Sequence, residues 1–85
     1  MGSRENQMNQ EHKRLEHVVR AVLKASREDS DVSQKELARR LQLTRNVIAN
    51  IETARRAVLM ADFVMIANAL RVDPETLLRR ILQWR

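Results

Sequence analysis

Apolar residues recur every three or four positions in five stretches of the 85-residue chain, and no stretch alternates residue by residue. That spacing predicts amphipathic helices, because 3.6 residues per turn bring such positions onto one face. Leu15, Val18, Val19, Val22 and Leu23 define a first helix over about 9–28, with Lys13, Arg14, Arg20 and Lys24 on its other faces. Leu37, Ala38 and Leu41 mark a second, Ile48 and Ile51 a third, and Phe63, Ile66, Ala67 and Leu70 a fourth over about 61–70. Leu77, Leu78, Ile81, Leu82 and Trp84 mark the last. One glycine, one proline and few β-branched runs fit helices throughout. The expected class is all-α, in five helices.

The junctions carry helix signals. Ser33 is placed to cap the second helix and Thr44 the third, since a hydroxyl oxygen satisfies an N–H that the first turn leaves unpaired. Asp62 is placed to cap the fourth or complement its dipole, and Asp73-Pro74 to open the fifth. The connection over 28–32 is polar, with Val32 expected in the core, and Leu43 is expected to fill the turn between the second and third helices. Two short helices joined by so tight a turn form a helix-turn-helix. The outer face of its second helix carries Arg45, Asn46, Ala49 and Asn50. Arginine offers parallel donors to guanine O6 and N7, and asparagine pairs bidentately with adenine, so Arg45, Asn46 and Asn50 are the candidate base readers. Val47 or Ala49 is available to touch a thymine methyl. Gln34 is placed to donate to a phosphate at a helix N-terminus, and Thr44 is a further candidate backbone contact. Lys35, Arg39 and Arg40 lie on the outer face of the second helix, as solvated charges or phosphate contacts.

A net charge of +5 and a pI near 11.0 point to a polyanionic partner. Only Phe63 and Trp84 are aromatic, which disfavours stacking on unpaired bases and favours duplex DNA. Cysteine is absent, so disulfides and thiolate chemistry are excluded. His12 and His17 are five apart, a spacing that does not aim two imidazoles at one metal from a helix, so no metal and no cofactor is expected. No phosphate-cradling glycine loop or catalytic constellation is visible, and an enzyme is not expected. No apolar run approaches the length of a membrane span, and the polar start lacks a signal-peptide pattern; a cytoplasmic protein, bacterial or phage, is expected.

The stretch Ser-Gln-Lys-Glu-Leu-Ala from Ser33, followed by Thr-Arg-Asn-Val-Ile-Ala-Asn-Ile-Glu from Thr44, resembles the Cro/repressor-type, or XRE-type, helix-turn-helix family. A downstream Ile-Ala-x-Ala-Leu-x-Val-Asp-Pro-x-x-Leu-Leu extends the likeness, which runs from about Arg20 to Leu78. The resemblance implies a five-helix lambda-repressor-like fold, placed here over 11–85, whose last helix is expected from its own apolar surplus to serve dimerisation; residues 1–10 are polar and are expected as a disordered tail, where Arg4 beside Glu5 gives little charge excess. The resemblance also implies an ion pair between Arg27 and Glu52, and phosphate contacts from Arg55 and Arg56 in the loop after the recognition helix. Glycines common in the family's turns are replaced here by Asp31, by Gln42 and by Thr53 or Ala54. Gln42 in a left-handed conformation would cost about 1 kcal/mol or more.

Val58, Leu59, Met60, Val64 and Met65 exceed what one helix face can hide, which reads as a broad core-facing surface or a subunit interface. With Leu77 and Leu78 assigned to the core, Ile81, Leu82 and Trp84 are surplus and form the expected dimer interface, rimmed by Arg79, Arg80 and Arg85. The function expected is sequence-specific binding of double-stranded DNA by a homodimer at a roughly palindromic operator, as a repressor or dual controller, with no small-molecule effector. The alternative is a protein-interaction module of antitoxin or antiactivator type that holds a partner on its apolar surface. A basic membrane-surface helix is a weaker rival, because the first helix mixes its charges and lacks interfacial aromatics.

Overall fold

Helix α1 (Ser3–Asp29) is followed by α2 (Gln34–Leu41), α3 (Arg45–Glu52), α4 (Met60–Ala69) and α5 (Pro74–Gln83). This computed structural model describes residues 3–84, with side chains from Met8 to Trp84, and the described residues contain no strand. The expectations about the side chains of Arg4, Glu5 and Arg85 lie outside the described residues. α1 starts at Ser3 rather than near position 9, so residues 3–10, expected as a disordered tail, are helical. Those residues contain no Gly or Pro and several good helix formers, so nothing local stops the helix.

The core is one cluster. Val18, Val22 and Leu23 of α1 meet Leu37 and Ala38 of α2, Ile48 and Ile51 of α3, Phe63, Ile66 and Ala67 of α4, and Leu77 and Ile81 of α5. Val32 joins it from the connection, as its apolar character predicts. Leu43 does not fill its turn: it stays 41 % exposed at the mouth of an apolar niche that Leu41, Ile48 and Met65 also line. At about 1.5 Å per residue, the 27-residue α1 is longer than the layer it packs on, and the molecule extends 47 × 25 × 18 Å. Its core-facing stripe therefore continues past the core as Leu15 and Met8, both exposed.

α5 corrects the assignment of its apolar residues. Ile81 is 6 % exposed and sits in the core, whereas Leu78 is exposed. Leu77 and Ile81, four apart, stack on one face of the helix and turn Leu78 and Leu82 onto the next. Trp84 departs differently: it ends the helix and lines a cleft with Val22, Ala25, Arg80 and Gln83. Ile81, Leu82 and Trp84 therefore form no single patch.

Four helix ends share one closure. Asp31, Gln42, Ala54 and Arg71 adopt positive φ of 56°, 58°, 67° and 60°. The N–H after each then bonds back to the carbonyl five residues earlier: Val32 to Arg27, Leu43 to Ala38, Arg55 to Asn50 and Val72 to Ala67. This is the Schellman arrangement, which glycine enters without steric cost and other residues do not. The turn expected at Thr53 or Ala54 uses Ala54, and Arg71 is a fourth such position that the sequence does not signal.

Candidate nucleic-acid interface

The helix-turn-helix is held from behind by the ion pair anticipated between Arg27 and Glu52. Arg27 Nε donates to Glu52 Oε2 at 2.7 Å and its Nη2 to Oε1 at 3.0 Å, a bidentate pair. The side chains are only 10 % and 6 % exposed. Arg27 Nη1 also donates to the Val32 carbonyl at 2.8 Å, fixing the connection that enters α2. Gln34 Nε2 donates to Glu52 Oε1 at 2.9 Å. Gln34, expected to donate to a phosphate, thus gives one of its two amide hydrogens to the nearer carboxylate and keeps one. Burial pushes the Glu52 carboxyl up, but the bonds from Arg27 and Gln34 and the charges of Arg27 and Lys24 prevail and hold it below the ordinary value. The end of α3 is thereby tied to both the end of α1 and the start of α2.

The two helices of the motif start differently. Ser33 Oγ accepts from the Glu36 N–H at 3.0 Å and caps α2 as expected. Thr44 has the extended backbone of a cap residue, but its hydroxyl accepts no hydrogen bond from α3. α3 also has no acidic residue in its first turn and opens with Arg45, a cation at the positive end of the helix dipole.

Helix phase places Ile48 and Ile51 inward and leaves Arg45 and Asn46 exposed, with Ala49 and Asn50 partly exposed beside them. Among the described residues, the side chains of Arg45, Asn46 and Asn50 make no hydrogen bond within the chain. The structure so brings the three candidate readers onto one outward face, with Thr44 at its leading end. Arg55 follows on the exposed loop, while Arg56 Nη2 lies 3.4 Å from Asp62 Oδ1. Asp62 in turn accepts the Leu59 N–H at 3.0 Å, capping α4 from within its first turn.

The other cations of the motif are differently occupied. Arg39 and Arg40 both donate to Glu36, at distances down to 2.6 Å, and hold its carboxyl at about 2. Arg40 also donates to the Ala69 carbonyl at 2.9 Å, tying α2 to the end of α4. Both arginines nevertheless stay exposed, as does Lys35, in keeping with the solvated charges expected of all three. His12 lies 3.9 Å from Glu16, and the described residues hold no cluster of metal-ligating side chains. No described helix is long and apolar enough to cross a membrane.

A short helix locked at its far end, with forked and amide side chains on its outward face, defines a helix-turn-helix DNA-binding unit. The helix-turn-helix family model matches residues 23–77. The chain belongs to that family and is of its XRE type, a DNA-binding transcription regulator. Its fold is similar to that of an XRE-family like protein from Pseudomonas syringae pv. tomato str. DC3000, with a TM-score of 0.86 at 25 % identity over 91 % of this chain and 94 % of that one. It is also similar to the clp gene regulator ClgR from C. glutamicum, with a TM-score of 0.73 at 22 % identity over 80 % and 88 % of the two chains. No curated protein matches the sequence significantly.

Proposed function

We propose that the chain regulates transcription as a homodimer on a roughly palindromic operator, repressing by occupancy. The observation that carries this reading is the outward face of α3, where the side chains of Arg45, Asn46 and Asn50 make no hydrogen bond to the described residues. These three read base edges, and Thr44, Arg55, Arg56 and the remaining amide hydrogen of Gln34 meet phosphates. The dimer forms through the apolar surface that the fold leaves uncovered. Leu78 and Ile81 of α5 line a groove of about 150 Å³ with Val19, Val58, Leu59, Met60 and Phe63, and Leu82 stands exposed one turn beyond Leu78. Leu82 at 72 % and Met60 at 72 % exposure are the residues that most need a cover. Trp84, which lies against α1 in its own chain, is not part of this interface.

Selection of bound duplexes from a random pool, run beside an Arg45, Asn46, Asn50 triple-alanine variant, tests the reading. A palindromic motif with half-sites about one helical turn apart, lost with the variant, is expected. Equal enrichment by both proteins would overturn it. In sedimentation, Leu78→Glu with Leu82→Glu is expected to yield monomers and Trp84→Ala to leave the dimer intact; the reverse would move the interface to the chain end.

A further inference from the structure

The face of α1 opposite the core carries three cations and a histidine that are only partly engaged within the chain: Arg20 pairs with Glu16, and the charge of Lys24 helps hold the Glu52 carboxyl down. Lys13, His17, Arg20 and Lys24 are spaced by four, three and four residues, which places them within an arc of about 60°. They form a stripe about 16 Å long, reckoned at 1.5 Å per residue. Lys13, His17 and Lys24 are exposed, and among the described residues none of the three makes an ion pair. Arg20 is half-buried between them: its Nη2 reaches Glu16 at 3.3 Å, and its Nε is buried with no hydrogen-bond partner among the described residues. Of the carboxylates near the stripe, Glu16 is engaged by Arg20 and Glu52 by Arg27 and Gln34, so Glu28, one turn beyond Lys24, is left to oppose it.

The stripe is next to the recognition helix. His17, Arg20, Ala21 and Lys24 line an open cleft of about 410 Å³ whose other wall is Glu52, Thr53 and Ala54, the end of α3 and the turn leading to Arg55. A nucleic-acid strand that meets Arg55 and Arg56 is therefore led into this cleft and along α1. We propose that α1 is a second phosphate-binding element, in which Lys13, His17 and Lys24 grip the DNA backbone flanking the site read by α3. The inference rests on the DNA-binding reading above and extends it from the motif to the long first helix. Such contacts add affinity without sequence information, through release of condensed counterions.

The test is the salt dependence of binding to the selected operator, by fluorescence anisotropy, for the wild type, for Lys13→Ala with Lys24→Ala, and for Arg14→Ala with Arg71→Ala. The last pair removes the same net charge from exposed sites off the stripe. Each lost phosphate contact lowers the slope of log K against log salt by roughly 0.9, so the lysine pair is expected to lower it by about 1.8 per bound chain. Trimming the duplex to the bases read by α3 should weaken the wild type and leave the lysine variant unaffected. If the lysine variant matches the Arg14, Arg71 control, or if trimming affects both proteins equally, the stripe is a solvated face and the proposal is wrong. A wild type that binds no duplex at all would instead overturn the DNA-binding reading itself, and this one with it.

Discussion

Replacing Glu52 with Ala would leave the Arg27 guanidinium buried without its counter-charge. Two of the three Arg27 bonds end on that carboxylate, and the third, to Val32, cannot neutralise a cation whose side chain is 10 % exposed. Breaking a buried pair from one side costs about 3 to 5 kcal/mol, whereas replacing both partners with apolar groups of similar volume is often close to neutral. A domain of this size has a total stability of roughly 4 to 13 kcal/mol, so the single change removes a large share of it. Urea unfolding followed by far-ultraviolet circular dichroism should place Glu52→Ala about 3 to 5 kcal/mol below wild type, and Arg27→Met with Glu52→Leu well above that single variant. The Arg27 change also deprives the Val32 carbonyl of its donor, so the double variant should retain a loss of about 1 kcal/mol. Acid adds an independent readout. The folded Glu52 carboxyl lies below its ordinary value of 4.5, so the unfolded state takes up the proton first. The contribution of the pair is complete above that value and is lost as pH falls through the folded pKa. Glu52→Gln should flatten this part of the acid limb. A Glu52→Ala variant within about 1 kcal/mol of wild type, with an unchanged acid limb, would mean the pair acts as an exposed one and does not lock α3.

Asn50→Ala is expected to erode preference at one base position by about 1 to 3 kcal/mol, whereas Arg55→Ala should weaken all duplexes together and flatten the salt dependence; competition binding on specific and random DNA separates the two. Gln42→Gly and Arg71→Gly each relieve a left-handed backbone and should raise stability by about 0.5 to 1 kcal/mol, near-additively because the turns are separate, as read by denaturant midpoints. Ser33→Ala should lose about 1 kcal/mol of stability with its cap bond, while Thr44→Ala should leave the melting curve in place and lower DNA affinity; a destabilised Thr44→Ala would mean its hydroxyl does cap α3 in solution.

The helices were legible because their signal is local. Leu37, Ala38 and Leu41, or Phe63, Ile66 and Leu70, declare one face through spacing alone, and Asp73-Pro74 declares a start. The same signal could not decide between Leu78 and Ile81, since both fit a helical stripe beside Leu77; the choice depends on how α5 crosses α1. Nor could it separate Trp84 from Leu82, because the helix ends between them and Trp84 turns back onto Val22 and Ala25. The Arg27–Glu52 pair spans 25 positions, over which spacing carries no information, and it was found through family likeness. The bond from Gln34 to Glu52 was hidden for the same reason: it spans 18 positions, and Glu52 becomes an acceptor for one of the amide hydrogens only in the fold. Arg71 left no trace, since nothing in Leu70-Arg71-Val72 marks a left-handed residue.

What distinguishes the candidate interface is a comparison among helices of one chain. α2 and α5 obey the rules for stable helix starts: Ser33 and Asp73 cap them, and Glu36 and Glu75 complement the dipole in the first turn. α4 does so through Asp62, which bonds the Leu59 N–H. α3 alone of these four leaves its cap hydroxyl idle and puts a cation, Arg45, where the dipole is positive. Each departure costs roughly 0.3 to 2 kcal/mol, and α3, with eight residues, can least tolerate it on propensity grounds. Its stability is supplied instead from the far end, by Ile48 and Ile51 in the core and by the Glu52 anchor. A helix held at its C-terminus, with an unbalanced positive N-terminus facing outward, is electrostatically complete only when a polyanion lies against that end. The local mismatch and the reading face thus point to the same partner by independent routes, one through charge and the other through hydrogen-bonding shape.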